Sequence, residues 1–198
     1  MKKTCIGFAM TGSFCTFDAV LAQMEELVKR GYEVLPILSF HAGSLDTRFM
    51  PSERLKERIV QLTGNEPIDS LTAAEPIGPK KMTDLYLIAP ATGNSMAKLV
   101  NGIYDTPVLL GVKSHLRNDR PVVLAVSTND GLSLAAQNIG RLLNWRNLYF
   151  VPFRQDDPIK KPRSLVADFS LIPKTITSAL CGVQLQPILA ENAKPREE

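Results

Sequence analysis

Histidine and cysteine are scarce in this 198-residue chain, two of the first and three of the second. Cys5, Cys15 and Cys181 are odd in number and lack metal-ligand spacing, so free cytosolic thiols are the expectation. His41 and His115 stand in no zinc pattern such as HExxH, which argues against a structural or catalytic zinc. Long apolar runs are missing too, and those present are far too short to cross a bilayer. The net charge is a mild +3, and the densest basic cluster, Lys160-Lys161-Pro162-Arg163, has no interleaved aromatics. Nucleic-acid and membrane partners are thereby disfavoured. Neither GxGxxG nor a Walker loop occurs, so a mononucleotide fits the chain better than a dinucleotide.

What is present is an alternation of apolar strands and amphipathic helices. The start, MKKTCIGFAM, resembles a leader because a basic pair precedes apolar residues. Gly12-Ser13 cuts that run short and Asp18 follows, so Thr4 to Met10 reads as a buried first strand of a cytoplasmic protein. Phe17 to Lys29 reads as a helix with Val20, Leu21, Met24, Leu27 and Val28 on one face. Tyr32 to Leu38 is a second strand in which Pro36 favours an edge position. A polar loop over 39–50 and a helix from about Pro51 follow. Residues 64–81 read mostly as loop, with a short strand near Ile68.

Met82 to Ala89 and Pro121 to Val126 are the next strands; a helix is expected over 106–115, although VLLGV there also reads as a strand, and another over 132–143. Leu148 to Val151 reads as the last strand, and Leu165 to Leu180 as a terminal helix interrupted at Pro173. The sum is a three-layer α/β/α sandwich with a central, mostly parallel sheet, flavodoxin- or Rossmann-like, in one domain over 1–190. Residues 191–198 read as a disordered tail.

Four strand ends carry loops dense in Ser, Thr, Asn and Gly. They are Thr11 to Thr16, Ser39-Phe40-His41, Pro90 to Ser95, and Ser127-Thr128-Asn129-Asp130-Gly131. Any one of them reads as a helix cap. Four together at the carboxyl ends of parallel strands point to one shared crevice. Thr92, Asn94 and Ser95 are short and uncharged, which suits a phosphate or a neutral heterocycle better than a metal. Met96, Leu99, Val100 and Ile103 behind them fall at helical spacing.

TGSFCTF after the first strand, PATGNSMAKLVNGIYD, and STNDG after the PVVLAV strand occur in a definite order. In that order they resemble the flavoprotein family of FMN-dependent cysteine decarboxylases and flavin prenyltransferases. That family has a Gly-Ser turn, a PASANT-like loop and a PxMN-like loop. The motifs span about Thr4 to Leu143, and one branch of the family resembles the chain essentially throughout, FRQDDPIKKPRSLVADFSLIP included.

The resemblance implies bound FMN and a trimer-based homo-oligomer with flavin at the contacts between copies. Gly12, Ser13 and Phe14 would meet the phosphate or ribityl chain, and Ser39 the phosphate. Pro90, Ala91, Thr92, Asn94 and Ser95 would lie by the flavin, with Ser127 at the neighbouring strand end. Asn129 would face a substrate carboxylate. The branch implies a separate partner protein that uses NADP, and a two-electron oxidation that aromatises a small dicarboxylate ring. A stand-alone decarboxylase or prenyltransferase and a non-enzymatic scaffold are the competing functions. The decarboxylases carry an active-site His before the PASANT strand, where this chain has EPIGPKK, and Thr128 replaces the Met of PxMN.

The other chemistry-bearing residues are more ambiguous. His41 reads equally as a substrate-facing group, hence a catalytic candidate beside Asn129, or as a surface loop histidine. His115, between Lys113 and Arg117, reads as solvated. Cys15 is expected to be a small buried residue rather than a reactive thiol. Arg154, Lys160, Lys161 and Arg163 read as a basic loop, or as a clamp for carboxylates.

Overall fold

The computed structural model describes residues 3–191; all but Glu191 of the expected tail lies outside them. Strand β1 (Cys5–Met10) is buried along its whole length, and a 3-10 turn at Phe14–Thr16 leads into α1 (Phe17–Lys29). The α1 residues Val20, Leu21, Met24 and Leu27 recur at three- and four-residue spacing and are buried. Gly31, at φ +86°, then turns the chain. β2 (Glu33–Leu38) follows, then α2 (Phe40–Ser44), α3 (Ser52–Thr63) and α4 (Leu71–Ala74).

Next come β3 (Leu85–Ala91), α5 (Gly93–Val100), α6 (Pro107–Arg117) and β4 (Val122–Thr128). The chain continues through α7 (Ala135–Leu142), β5 (Leu148–Phe150), β6 (Phe153–Asp157), β7 (Lys161–Ala167) and α8 (Ile172–Leu180).

Parallel strands run in the order β2-β1-β3-β4-β5. β3 is wholly buried and β4 nearly so, as strands covered on both faces must be. α1 and α8 pack together on one face, and α6 with α4 covers the other. β2 is the edge strand, which accommodates Pro36; the Pro36 carbonyl accepts from Ile68 N at 2.9 Å, and Ile37 bridges Ile68.

β5 pairs only with Val122–Leu124 of β4, whereas β7 runs antiparallel against Ser127 and Thr128. The β6–β7 hairpin therefore stands at the carboxyl end of the sheet. No helix of the described residues is long and apolar enough to cross a membrane.

Several expected elements shift. Ser39 accepts from Ala42 N at 3.3 Å and starts α2 inside the expected 39–50 loop. Ser70 does the same for α4, which a 3-10 turn (Glu75–Ile77) extends. Pro90, Ala91, Ser127 and Thr128 belong to strands, not loops. α5 stops at Val100 and leaves Ile103 exposed. Residues 132–134 form turns, Leu132 N donating to Arg163 O at 2.9 Å, so α7 begins late.

The expected last strand is followed by two more. Leu165–Ala167 is strand, and Pro173 sits in the first turn of α8, where its missing N–H costs nothing, instead of interrupting a helix.

Candidate functional site

In the order β2-β1-β3-β4-β5 the chain leaves β1 toward one side and returns past it to β3. The crevice of such a sheet opens between those two strands, at their carboxyl ends. A chain of hydroxyls builds its floor. The Thr11 hydroxyl donates to the Pro90 carbonyl at 2.7 Å and accepts from Thr92 N at 3.2 Å. Thr92 Oγ1 lies 2.9 Å from Ser95 Oγ and caps α5 by accepting from Ser95 N at 3.3 Å. Ser13 Oγ meets Ser127 Oγ at 2.8 Å, joining the β1 loop to the end of β4.

Two cavities open above this floor, of about 920 and about 290 Å³, and Gly12, Thr92 and Asn94 line both. The larger is completed by Ser13, Phe14, Ser127 and Asn129 among the expected residues. The smaller takes Ser39, His41 and Ser95. Pro90 and Ala91 are buried in β3 and line neither; Pro90 contributes through its carbonyl.

Capping accounts for Ser39 and Thr92. It does not account for Asn94 or Asn129, whose exposed amides have no partner among the described residues. Gly93 matters sterically, since a Cβ there would stand 2.7 Å from Thr128 Oγ1 and 2.9 Å from Asp130 Oδ1.

The larger cavity also holds residues that the sequence reading missed. Arg48 and Phe49 reach it from the loop between α2 and α3, and Asp156 and Ser164 from the hairpin. Of the expected clamp, Lys161 lines the cavity but Arg154, Lys160 and Arg163 do not, and Arg154 pairs with Asp168 at 3.1 Å. Lys161 pairs with Asp156 at 2.7 Å, a contact that raises the lysine pKa. On the smaller cavity, Lys98 reaches both Asp105 oxygens at 2.8 Å.

Two expectations are overturned. Cys15 is exposed on the wall of the larger cavity, because the 3-10 turn carries it outward. His115 is 2% exposed, with Nε2 2.7 Å from the Thr83 hydroxyl; burial, then the Arg120 charge, lowers its pKa to about 4. Among the described residues no group of His, Cys, Asp and Glu is arranged to hold a metal ion.

Known proteins share this plan. The family model described as Flavoprotein matches residues 1–168. The B subunit of dipicolinate synthase from Bacillus subtilis (strain 168) is 52% identical over 192 residues, 97% of this chain and 96% of that protein. The crystal structure of the dipicolinate synthase B subunit from Bacillus halodurans C is 47% identical, with a TM-score of 0.88 over 96% of this chain and 97% of that one. Burkholderia xenovorans DmrB in complex with FMN, a cubic protein cage for redox transfer, is 18% identical, with a TM-score of 0.67 over 90% of this chain and 96% of that one. At that identity the likeness is one of fold.

Proposed function

This chain belongs to the Flavoprotein family, and from that premise we propose that it works as the B subunit of dipicolinate synthase. In this reading it is a cytoplasmic, FMN-binding, trimer-based oligomer in the mother cell during sporulation. It acts with the synthase's NADP-using A subunit to oxidise a dihydrodipicolinate-type precursor to dipicolinate. The observation that carries the reading is the pair of cavities sharing Gly12, Thr92 and Asn94. That arrangement lets two ligands meet over one wall. The 52% identity to a B subunit of dipicolinate synthase supports the choice of complex.

The residues fit a mononucleotide. Ser39, Ser95 and the α5 N-terminus offer uncharged donors to a phosphate or ribityl chain. The unpartnered amides of Asn94 and Asn129 can hold a heterocycle and a substrate carboxylate. FMN bound here supplies a two-electron acceptor. The chain's own work is to orient the ring through these donors and to cover it with the hairpin residues Asp156, Lys161 and Ser164. The EPIGPKK stretch, where the decarboxylases carry an active-site His, holds none and lines neither cavity.

Two measurements test the reading. FMN titrated into the purified protein should lose fluorescence saturably, and the protein should accelerate dipicolinate formation by the NADP-using partner. A rate from that partner on its own equal to the rate of the mixture would end the catalytic role. Acceleration by a protein that takes up no FMN would make it a scaffold.

A further inference from the structure

On the flavin and dicarboxylate reading above, on which this depends, we infer that Arg48 is the substrate-anion group of the larger cavity and binds one carboxylate of a planar ring dicarboxylate. The charged side chains on that wall are Arg48, Lys161, Asp130 and Asp156. Lys161 and Asp156 neutralise each other at 2.7 Å. Asp130 accepts the Thr128 hydroxyl and carries no ion pair among the described residues. Arg48 has no carboxylate partner among the described residues; its guanidinium lies 4.9 Å from the centre of the exposed Phe49 ring.

Without Arg48 the wall would carry a net negative charge from Asp130 and repel a dianion. With it, a planar fork suited to two parallel N–H···O bonds faces the cavity. Phe49 and Phe14 supply aromatic surface on the same wall for the ring of the ligand. Asn129, on that wall too, is left for the second carboxylate.

The test is calorimetric titration of dipicolinate and of picolinate, which lacks one carboxylate, into wild type, Arg48→Ala, Arg48→Lys and Arg163→Ala, with and without saturating FMN. Arg48→Ala should weaken dipicolinate by roughly 10- to 100-fold. Its effect on picolinate should be smaller, and its FMN affinity should stay within about twofold, Arg48 being assigned to the substrate and not to the cofactor. Arg48→Lys should fall between, keeping the charge without the fork. Arg163→Ala, which removes an exposed hairpin cation that lines neither cavity, should change dipicolinate by about threefold at most.

Wild-type dipicolinate affinity in Arg48→Ala, or an equal loss in Arg163→Ala, overturns the assignment. Failure of wild type to bind dipicolinate in either condition overturns it together with the dicarboxylate reading. Dipicolinate binding that needs Arg48, in a protein that takes up no FMN, keeps the assignment and defeats only the cofactor.

Discussion

The Ser13 and Ser127 hydroxyls lie 2.8 Å apart, although their strands, β1 and β4, are separated in the sheet by β3. The contact spans the carboxyl end of β3 and fixes the Gly12-Ser13-Phe14 turn against the far wall of the crevice. Ser127→Ala frees the Ser13 hydroxyl. FMN affinity should drop roughly 3- to 10-fold, the worth of one neutral hydrogen bond, while the melting temperature stays close to wild type. Flavin fluorescence titration measures this. Unchanged affinity would mean that Ser13 does not hold the cofactor through this geometry.

Gly111 is where α6 crosses Tyr86 of β3. A Cβ at Gly111 would stand 2.4 Å from the ring Cζ and the hydroxyl oxygen of Tyr86, a distance that forces helix and strand apart. Gly111→Ala should cost about 1–3 kcal/mol in urea unfolding. The Tyr86 hydroxyl is buried with no hydrogen-bond partner among the described residues. Tyr86→Phe should therefore be neutral or stabilise by about 1 kcal/mol. A wild-type midpoint for Gly111→Ala, or a large loss for Tyr86→Phe, would contradict this packing.

The legible parts of the chain are those where burial leaves a periodic trace. IGFAM, LYLIA and VVLAV are continuous apolar runs because both sheet faces are covered, and α1 shows its stripe plainly. The clustering of small polar residues at strand ends foretold the crevice.

The hairpin was not legible, since FRQDD and KPRS carry charges where a half-buried strand would alternate, and each holds mostly exposed or half-buried residues. Arg48 lies in a polar loop, and only the folding of 39–50 over the crevice brings it to the wall. His115 did leave a signal. Val108, Gly111 and Val112 precede it at helical spacing on the buried face of α6, and the flanking Lys113 and Arg117 masked it.

That buried histidine makes stability depend on pH. Its folded pKa is about 4 against an ordinary 6.5, because burial and then the Arg120 charge disfavour the imidazolium; the Pro121 backbone and Asp84 oppose the shift only in part. The unfolded chain thus binds the proton more readily. The contribution is fully present above pH 6.5 and is lost as pH falls toward 4, amounting to about 3 kcal/mol across that window. His115→Gln keeps a polar partner for the Thr83 hydroxyl but cannot titrate. Urea unfolding at about pH 5 and pH 7 should show a smaller difference for the variant than for wild type. Equal differences would mean that the histidine is not held neutral.

Cys15 offers a direct reading of cavity occupancy. It is exposed on the wall of the larger cavity, Cys181 is exposed in the turn after α8, and Cys5 is buried in β1. Iodoacetamide should modify Cys15 and Cys181 in the native protein and reach Cys5 only on unfolding. A ligand seated against Phe14, Cys15 and Thr16 must block approach to the Cys15 sulfur, whereas Cys181 lines neither cavity. Dipicolinate together with FMN should therefore slow Cys15 labelling several-fold and leave the Cys181 rate unchanged, as peptide mass spectrometry over time would show. Protection of both cysteines alike would indicate general tightening of the fold. Protection of neither, at ligand concentrations that saturate binding, would place the ligands away from this wall.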